Sequence, residues 1–219
     1  MRATIHNSRT GKDGAYNTKH NDRQFDIRNA EHIDPERVRN NRYWNWTGNP
    51  KMSFEDAERA FYEKHIKQHL DAQNARYKAQ RHAERVKTMD EYRRSPQACP
   101  EEVILQIGKF GDTIPADMMA RIIQEQINWE QKTFPGVKVL DVALHMDEQG
   151  APHIHERRAW VYTDKDGNFA ISQNKSLEQM GVEPLNPNKP RSRFNNRKMT
   201  FSRMCREHLL QICKEHGLQ

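Results

Sequence analysis

The segment His145-Met-Asp147-Glu148-Gln-Gly-Ala-Pro152-His153-Ile-His155 confines three imidazoles and two carboxylates to eleven residues, and it constrains this chain more than any other. Alternation along a strand sends His153 and His155 to one face and Ile154 to the other. The preceding run, 137–145, also reads as a strand, and 147–152, with Gly150 and Pro152, reads as the hairpin connection. Antiparallel pairing of the two strands then brings His145 beside His153 and His155. Three neutral imidazoles on rigid neighbouring strands make a facial set of metal ligands with coordination positions left over, which is what catalysis requires.

Composition agrees with a polyanionic partner without identifying one. The 219 residues carry 36 Lys and Arg against 30 Asp and Glu, for a net charge of +6. The length suits one domain with a real core. With so many acids, the positive charge is useful only where it is local. The clearest local excess is Lys189, Arg191, Arg193, Arg197 and Lys198, interleaved with Phe194, Asn195 and Asn196. It combines phosphate neutralisation with groups that stack on or hydrogen-bond a base, and it is read as a DNA contact. The three cysteines, 99, 205 and 213, form no metal-type pair and no disulfide framework, which suits a reducing cytoplasm, and Cys205 and Cys213, eight apart on an expected helix, read as small buried residues. No stretch approaches membrane-spanning length, so no membrane partner is expected.

Periodicity outlines the remaining elements. Short strands are predicted at 3–6, 37–47 (through Tyr43-Trp44-Asn45-Trp46), 102–107 and 169–171, with the histidine strand continuing through Tyr162. Ser53-Phe-Glu-Asp56 opens a helix expected to run to about Lys87, polar and projecting after Leu70. Further helices are expected over 115–133, 172–180 and the C-terminal segment. Strands at both ends with helices between and after them predict an α+β domain with a mainly antiparallel sheet.

The pattern His-x-Asp-Glu…Pro-His-x-His resembles the metal motif of the HUH-type relaxases, and within them the mobilisation and recombination family Pre/Mob, or MobV. A second likeness lies upstream, where His20-Asn21-Asp22-Arg23 is similar to that family's His-Asn-x-Arg motif. The sequence departs from the commonest family spacing by one residue between His145 and His153, which puts the position of Glu148 in doubt. The resemblance implies an HUH relaxase sheet with the metal histidines on central strands. It also implies a metal-dependent, site- and strand-specific nicking-joining reaction on bacterial plasmid DNA at an origin of transfer, single-stranded or as a hairpin. By the same resemblance His20 is the nucleophile, leaving a phosphohistidine on the 5′ end, Glu148 orients its ring, and Arg23 neutralises the phosphate. His145, His153 and His155 hold the metal. Imidazoles by themselves suit Zn2+, Ni2+ or Cu2+, whereas the family is expected to use Mn2+ or Mg2+, so Mn2+ is expected in the cell and Ni2+ or Zn2+ in a purified sample.

Tyr16 and Tyr43 are rival nucleophiles, because other HUH relaxases use tyrosine, and His6-Asn7-Ser8-Arg9 imitates the nucleophile motif. Rolling-circle replication initiators and HUH transposases share the chemistry, and a DNA-binding module with a structural metal is the reading from another class. Residues 1–219 are read as one relaxase domain, short of the family's C-terminal oligomerisation region, with dimerisation expected of a full-length protein.

Overall fold

The computed structural model describes residues 3–8, 18–108, 114–148, 150 and 152–218. Its strands are β1 (Ala3–Ser8), β2 (Arg42–Asn45), β3 (Glu101–Ile107), β4 (Val137–His145), β5 (His153–Thr163) and β6 (Phe169–Ile171). Its helices are α1 (Thr18–Asn21), α2 (Phe54–His65), α3 (Lys67–Ala79), α4 (Met89–Arg93), α5 (Ala116–Thr133), α6 (Gln173–Gln179) and α7 (Arg197–Glu215). Every strand pairing is antiparallel, in the order β1-β3-β5-β4-β2 with β6 added to the far end of β5. The architecture is the expected α+β one.

Each face of the sheet is covered for a reason visible in the strands. Val103, Leu105, Ile107, Val142, Leu144 and Ile154 share one face, and Met119, Ile122 and Ile123 of α5 pack there with Leu209, Ile212 and Cys213 of α7. On the opposite face, Ala159 and Val161 receive Phe61, Tyr62, Ile66 and Leu70. That cover stops short of His153 and His155, so the histidine end of the face is left for α1 and the loops that follow it. Cys205 and Cys213 are buried free thiols, as expected, and Cys99 is one as well.

The single helix expected from Ser53 to about Lys87 is two. The chain bends at Ile66 (φ −110°, ψ −17°), which keeps Ile66 and Leu70 in the same apolar cluster as Tyr62. It leaves the helix at Ala79, with Arg81 in the left-handed region at φ +58°. The polar second half does not project freely: His69 Nδ1 lies 2.7 Å from Asp164, and Arg76 reaches Asp166 at 3.0 Å. The strand expected over 37–47 is only four residues long, because 38–40 form a 3-10 turn ahead of it. Helix α4, unforeseen, starts with a full capping box between Thr88 and Glu91.

Candidate metal and phosphodiester site

Register assembles the histidines. His145 stands directly opposite His153 on β4 and β5, and His155 follows two residues along on the same face. The one-residue excess in spacing falls in the turn and changes neither strand's face. Ring centroids are 5.5 Å apart for His145–His153, 4.9 Å for His145–His155 and 4.9 Å for His153–His155. Helix α1 lowers His20 onto this set, 5.6 Å from His145 and 5.7 Å from His155 by ring centroid.

Hydrogen-bond partners determine which ring nitrogens are free. His145 Nε2 lies 2.8 Å from the backbone carbonyl of Asn21, which can only accept, so Nε2 carries the proton and Nδ1 a lone pair. That Nδ1 is buried and has no hydrogen-bond partner. Glu148 Oε1 stands 3.2 Å from it, at ion-pair distance without hydrogen-bond alignment. Burial pushes the His145 imidazole below its ordinary pKa, which keeps it neutral and makes two acceptors face each other. His155 Nδ1 is 2.6 Å from Glu102 Oε1 and donates to it, so its Nε2 points at His153 Nε2, 3.1 Å away. Lone pairs converging on a buried centre fit a cation and little else. One donor atom each from His20, His145, Glu148 and His155 lies within 4.8 Å of the others. His153 borders this group, with Nε2 3.5 Å from Glu148 Oε2.

Glu148 is shared between the two halves of the site. Its Oε1 is 3.1 Å from His20 Nε2 and 2.8 Å from an Arg23 nitrogen. Burial pushes this carboxyl upward, but the groups gathered round it, hydrogen bonds from His20 and Arg23 among them, outweigh it and hold Glu148 far below the ordinary carboxylate range. A bridge between Ile33 and Glu148, with the Asp34 amide donating to the Asp147 carbonyl at 2.8 Å, secures the backbone that carries it. The extra hairpin residue has not displaced Glu148 from the site.

Arg23 occupies a different position from the one expected of it. Its Nε and one terminal nitrogen grip Asp147 at 3.0 and 2.8 Å, the same terminal nitrogen reaches Glu148, and the other donates to the His20 carbonyl at 2.8 Å. The side chain is 5% exposed and its backbone sits at φ +57°. With four contacts to protein oxygens and a terminal nitrogen 3.4 Å from His20 Nε2, the Arg23 guanidinium braces His20 and Glu148, and its donors are taken up within the protein.

Three supporting residues escaped the sequence reading. Glu102 orients His155, the Asn21 carbonyl orients His145, and Asn41 donates to Asp147 at 2.8 Å while accepting from the Met146 amide at 2.7 Å. An acid opening an otherwise apolar strand was the only available signal for Glu102. Tyr43 stands at the edge of the site with its ring 6.5 Å from His145, and its hydroxyl accepts from Asn41 at 3.0 Å. Tyr16 lies outside the described residues, as do the neighbouring 9–17.

The basic run 189–198 lies elsewhere. Lys198 is engaged within the protein: its ammonium lies 2.9 Å from the buried Glu101 and over the rings of Trp160 and Phe201. At ~3.3 Å per residue, Trp160 lies roughly 16 Å along β5 from His155. Asn195 spends its amide on the carbonyls of Asn186, Lys189 and Pro190, and Asn196 caps α7 through the Met199 amide. Arg197 lies 3.6 Å from both Glu178 and Glu183, and Arg191 donates to Asn174. Lys189, Arg191 and Arg193 are the exposed cations of the segment, Arg193 lying over the exposed ring of Phe194.

The sequence matches no family model, and no curated protein matches it. Among solved structures, the chain is similar to the MobM relaxase domain (MOBV; Mob_Pre) in Mn-bound crystal structures with oriT DNA of plasmid pMV158. The form at pH 6.8, with a 3′-thiophosphate, aligns over 78% of this chain and 74% of that one at 15% identity and a TM-score of 0.49. The form at pH 5.5 aligns over the same shares at 14% identity and 0.49, and the form at pH 4.6 over 78% and 75% at 13% and 0.48.

Proposed function

We propose that the chain is a metal-dependent DNA nicking-joining enzyme of the relaxase kind, acting on a single strand at an origin of transfer. The observation that carries this reading is the buried His145 Nδ1 lone pair facing Glu148, within a donor set that also contains His155 and His20. His145, His153 and His155 would hold the metal, with Mn2+ or Mg2+ as the ion. The bound ion supplies Lewis acidity that polarises the scissile phosphate and offsets the charge developing on it.

The remaining chemistry belongs to the chain. His20 Nε2 donates its proton to Glu148 Oε1 across 3.1 Å, which leaves Nδ1 with the nucleophilic lone pair. Nδ1 attacks phosphorus, a P–N bond forms, and the P–O bond to the 3′ carbon's oxygen breaks. That oxygen leaves with the bonding pair and takes a proton from water, giving a 3′ hydroxyl and a 5′ phosphohistidine. The ring then bears a positive charge, which the Glu148 carboxylate neutralises, and Arg23 keeps both partners in line. Reversal of the step rejoins the strand, because the link conserves the phosphoester's bond energy. The same four donors, closed around an ion with no open position, would instead make a structural metal in a DNA-binding module.

Incubation of supercoiled DNA bearing a candidate origin with protein and Mn2+, followed by peptide mapping of the trapped adduct, separates these readings. A nicked circle and an acid-labile, base-stable adduct on His20 are expected. A nucleotide mapped to Tyr43 or Tyr16 removes His20 from the role, and loss of Mn2+ binding in His20→Ala makes His20 a ligand.

A further inference from the structure

Beside the histidine cluster, on the edge where β2 closes the sheet, lies a groove of about 440 Å3 whose walls include Tyr43, Trp44, Phe54, Asp22, Asn49 and Lys51. Its size falls within the roughly 300–1,000 Å3 span of small-ligand pockets. Tyr43 forms the partition: one side of its ring environment is His145, 6.5 Å away, and the buried Phe54 meets it edge-on at 6.3 Å. With Phe54 behind it and its hydroxyl tied to Asn41, the ring is held in place, yet Tyr43 remains 37% exposed.

The polar groups around this aromatic wall are of mixed kind. Asp22 accepts from the Phe54 amide at 2.9 Å and the Gln24 amide at 3.3 Å, each oxygen keeping a further lone pair. Asn49 Oδ1 accepts from the Lys51 amide, and its Nδ2 carries two donors. Lys51 is exposed. A carboxylate on the wall repels phosphate from the interior, whereas the lysine attracts it outside. A flat ring, donors and acceptors at the edges and one cation at the surface together match a nucleobase inside with its backbone outside.

We infer that a nucleobase of the single strand, from a nucleotide flanking the scissile phosphate, stacks on Tyr43 in this groove while Lys51 contacts the backbone. The inference rests on the nickase reading of the histidine cluster. Tyr43 then serves as a binding platform for the strand and not as a rival nucleophile.

The test uses the full chain with Mn2+ and short oligodeoxythymidylates, their affinity read by fluorescence anisotropy. Tyr43→Leu should weaken binding about 5- to 150-fold, the worth of one base–aromatic stack, and Tyr43→Phe should keep wild-type affinity because the ring is retained. Lys51→Ala should flatten the slope of log affinity against log salt by about 0.7, as for one phosphate on a single strand. Ultraviolet crosslinking through 5-iododeoxyuridine in the same oligonucleotide should map to Tyr43. Wild-type affinity in Tyr43→Leu, an unchanged slope in Lys51→Ala, or crosslinks confined to other segments would overturn the inference while nicking by the wild-type protein left the cluster's reading intact. Absence of Mn2+ binding by the wild-type protein would remove the premise and the inference together. If Tyr43→Leu does not fold, the Lys51→Ala slope and the crosslink map decide.

Discussion

Two stretches of this chain carry dense functional chemistry in their residues, the histidine segment 145–155 and the basic segment 189–198, and the fold treats them in opposite ways. Around His145 the structure leaves a buried lone pair with no hydrogen donor and turns a carboxylate and two further imidazoles toward it. Around Lys198 it spends several of the polar groups: the ammonium goes to Glu101, Asn195 to three carbonyls and Asn196 to a helix cap. Charge in a sequence is available to a ligand only when the fold has not already used it. The same lesson applies to Arg23, whose guanidinium is committed to Asp147, Glu148 and a carbonyl.

The largest expected effect breaks the comparison at its reactive end. His20→Ala should abolish nicking and the covalent adduct while Mn2+ binding, followed by calorimetry, persists through the β4 and β5 histidines. His153→Ala should abolish Mn2+-dependent nicking and leave much of the DNA affinity in place, because phosphate contacts elsewhere supply most of it. Nicking near the wild-type rate in either variant would end the corresponding assignment.

Lys198→Met tests the spent end. Leaving Glu101 buried without its ammonium should cost about 3–5 kcal/mol of stability in urea unfolding at neutral pH, with little change in oligonucleotide affinity. The pH dependence follows in sign. Burial raises the Glu101 carboxyl, and Lys198 and Arg158 outweigh this, so its folded pKa lies below its ordinary 4.5. Its contribution is therefore present above pH 4.5 and lost as pH falls through the folded value. The Lys198→Met deficit should shrink across that acid range, and a deficit constant with pH would assign it to packing.

Glu102→Gln is expected to be milder. Asn21 and Arg157 still neighbour the side chain, but the acceptor for His155 Nδ1–H weakens, and Mn2+ affinity should fall about 10- to 100-fold. Unchanged affinity would make Glu102 a fold residue alone. The smallest effect sharpens the comparison: Arg193→Ala with Arg197→Ala should leave the salt slope of DNA binding unaltered, whereas a loss of one to two units would return this segment to the DNA interface.

Much of the architecture was legible because it depends on local periodicity. The apolar, β-prone run 137–145 and the turn before His153 gave both strands, the two-residue spacing of His153 and His155 gave their shared face, and the apolar stripe at Met119, Ile122, Ile123 and Ile127 gave α5. The bend at Ile66 was not legible, since the residues on both sides of it favour helix and only docking against Ala159 and Val161 distinguishes one helix from two. The capping box at Thr88 was written in the sequence and lost among polar neighbours.

The chain's sequence by itself determined the hairpin and the identity of the imidazoles clustered on it, because strand alternation and short spacing restrict geometry over a few residues; the His20–Arg23 motif was marked by resemblance alone. Tertiary structure alone decided which nitrogens are free. Partners such as Asn21, Asn41 and Glu102 for the hairpin, or Glu101 for Lys198, come from residues 53 to 124 positions away. Long-range hydrogen bonding leaves no periodic trace in sequence, so the division between committed and available groups exists only once the sheet has closed.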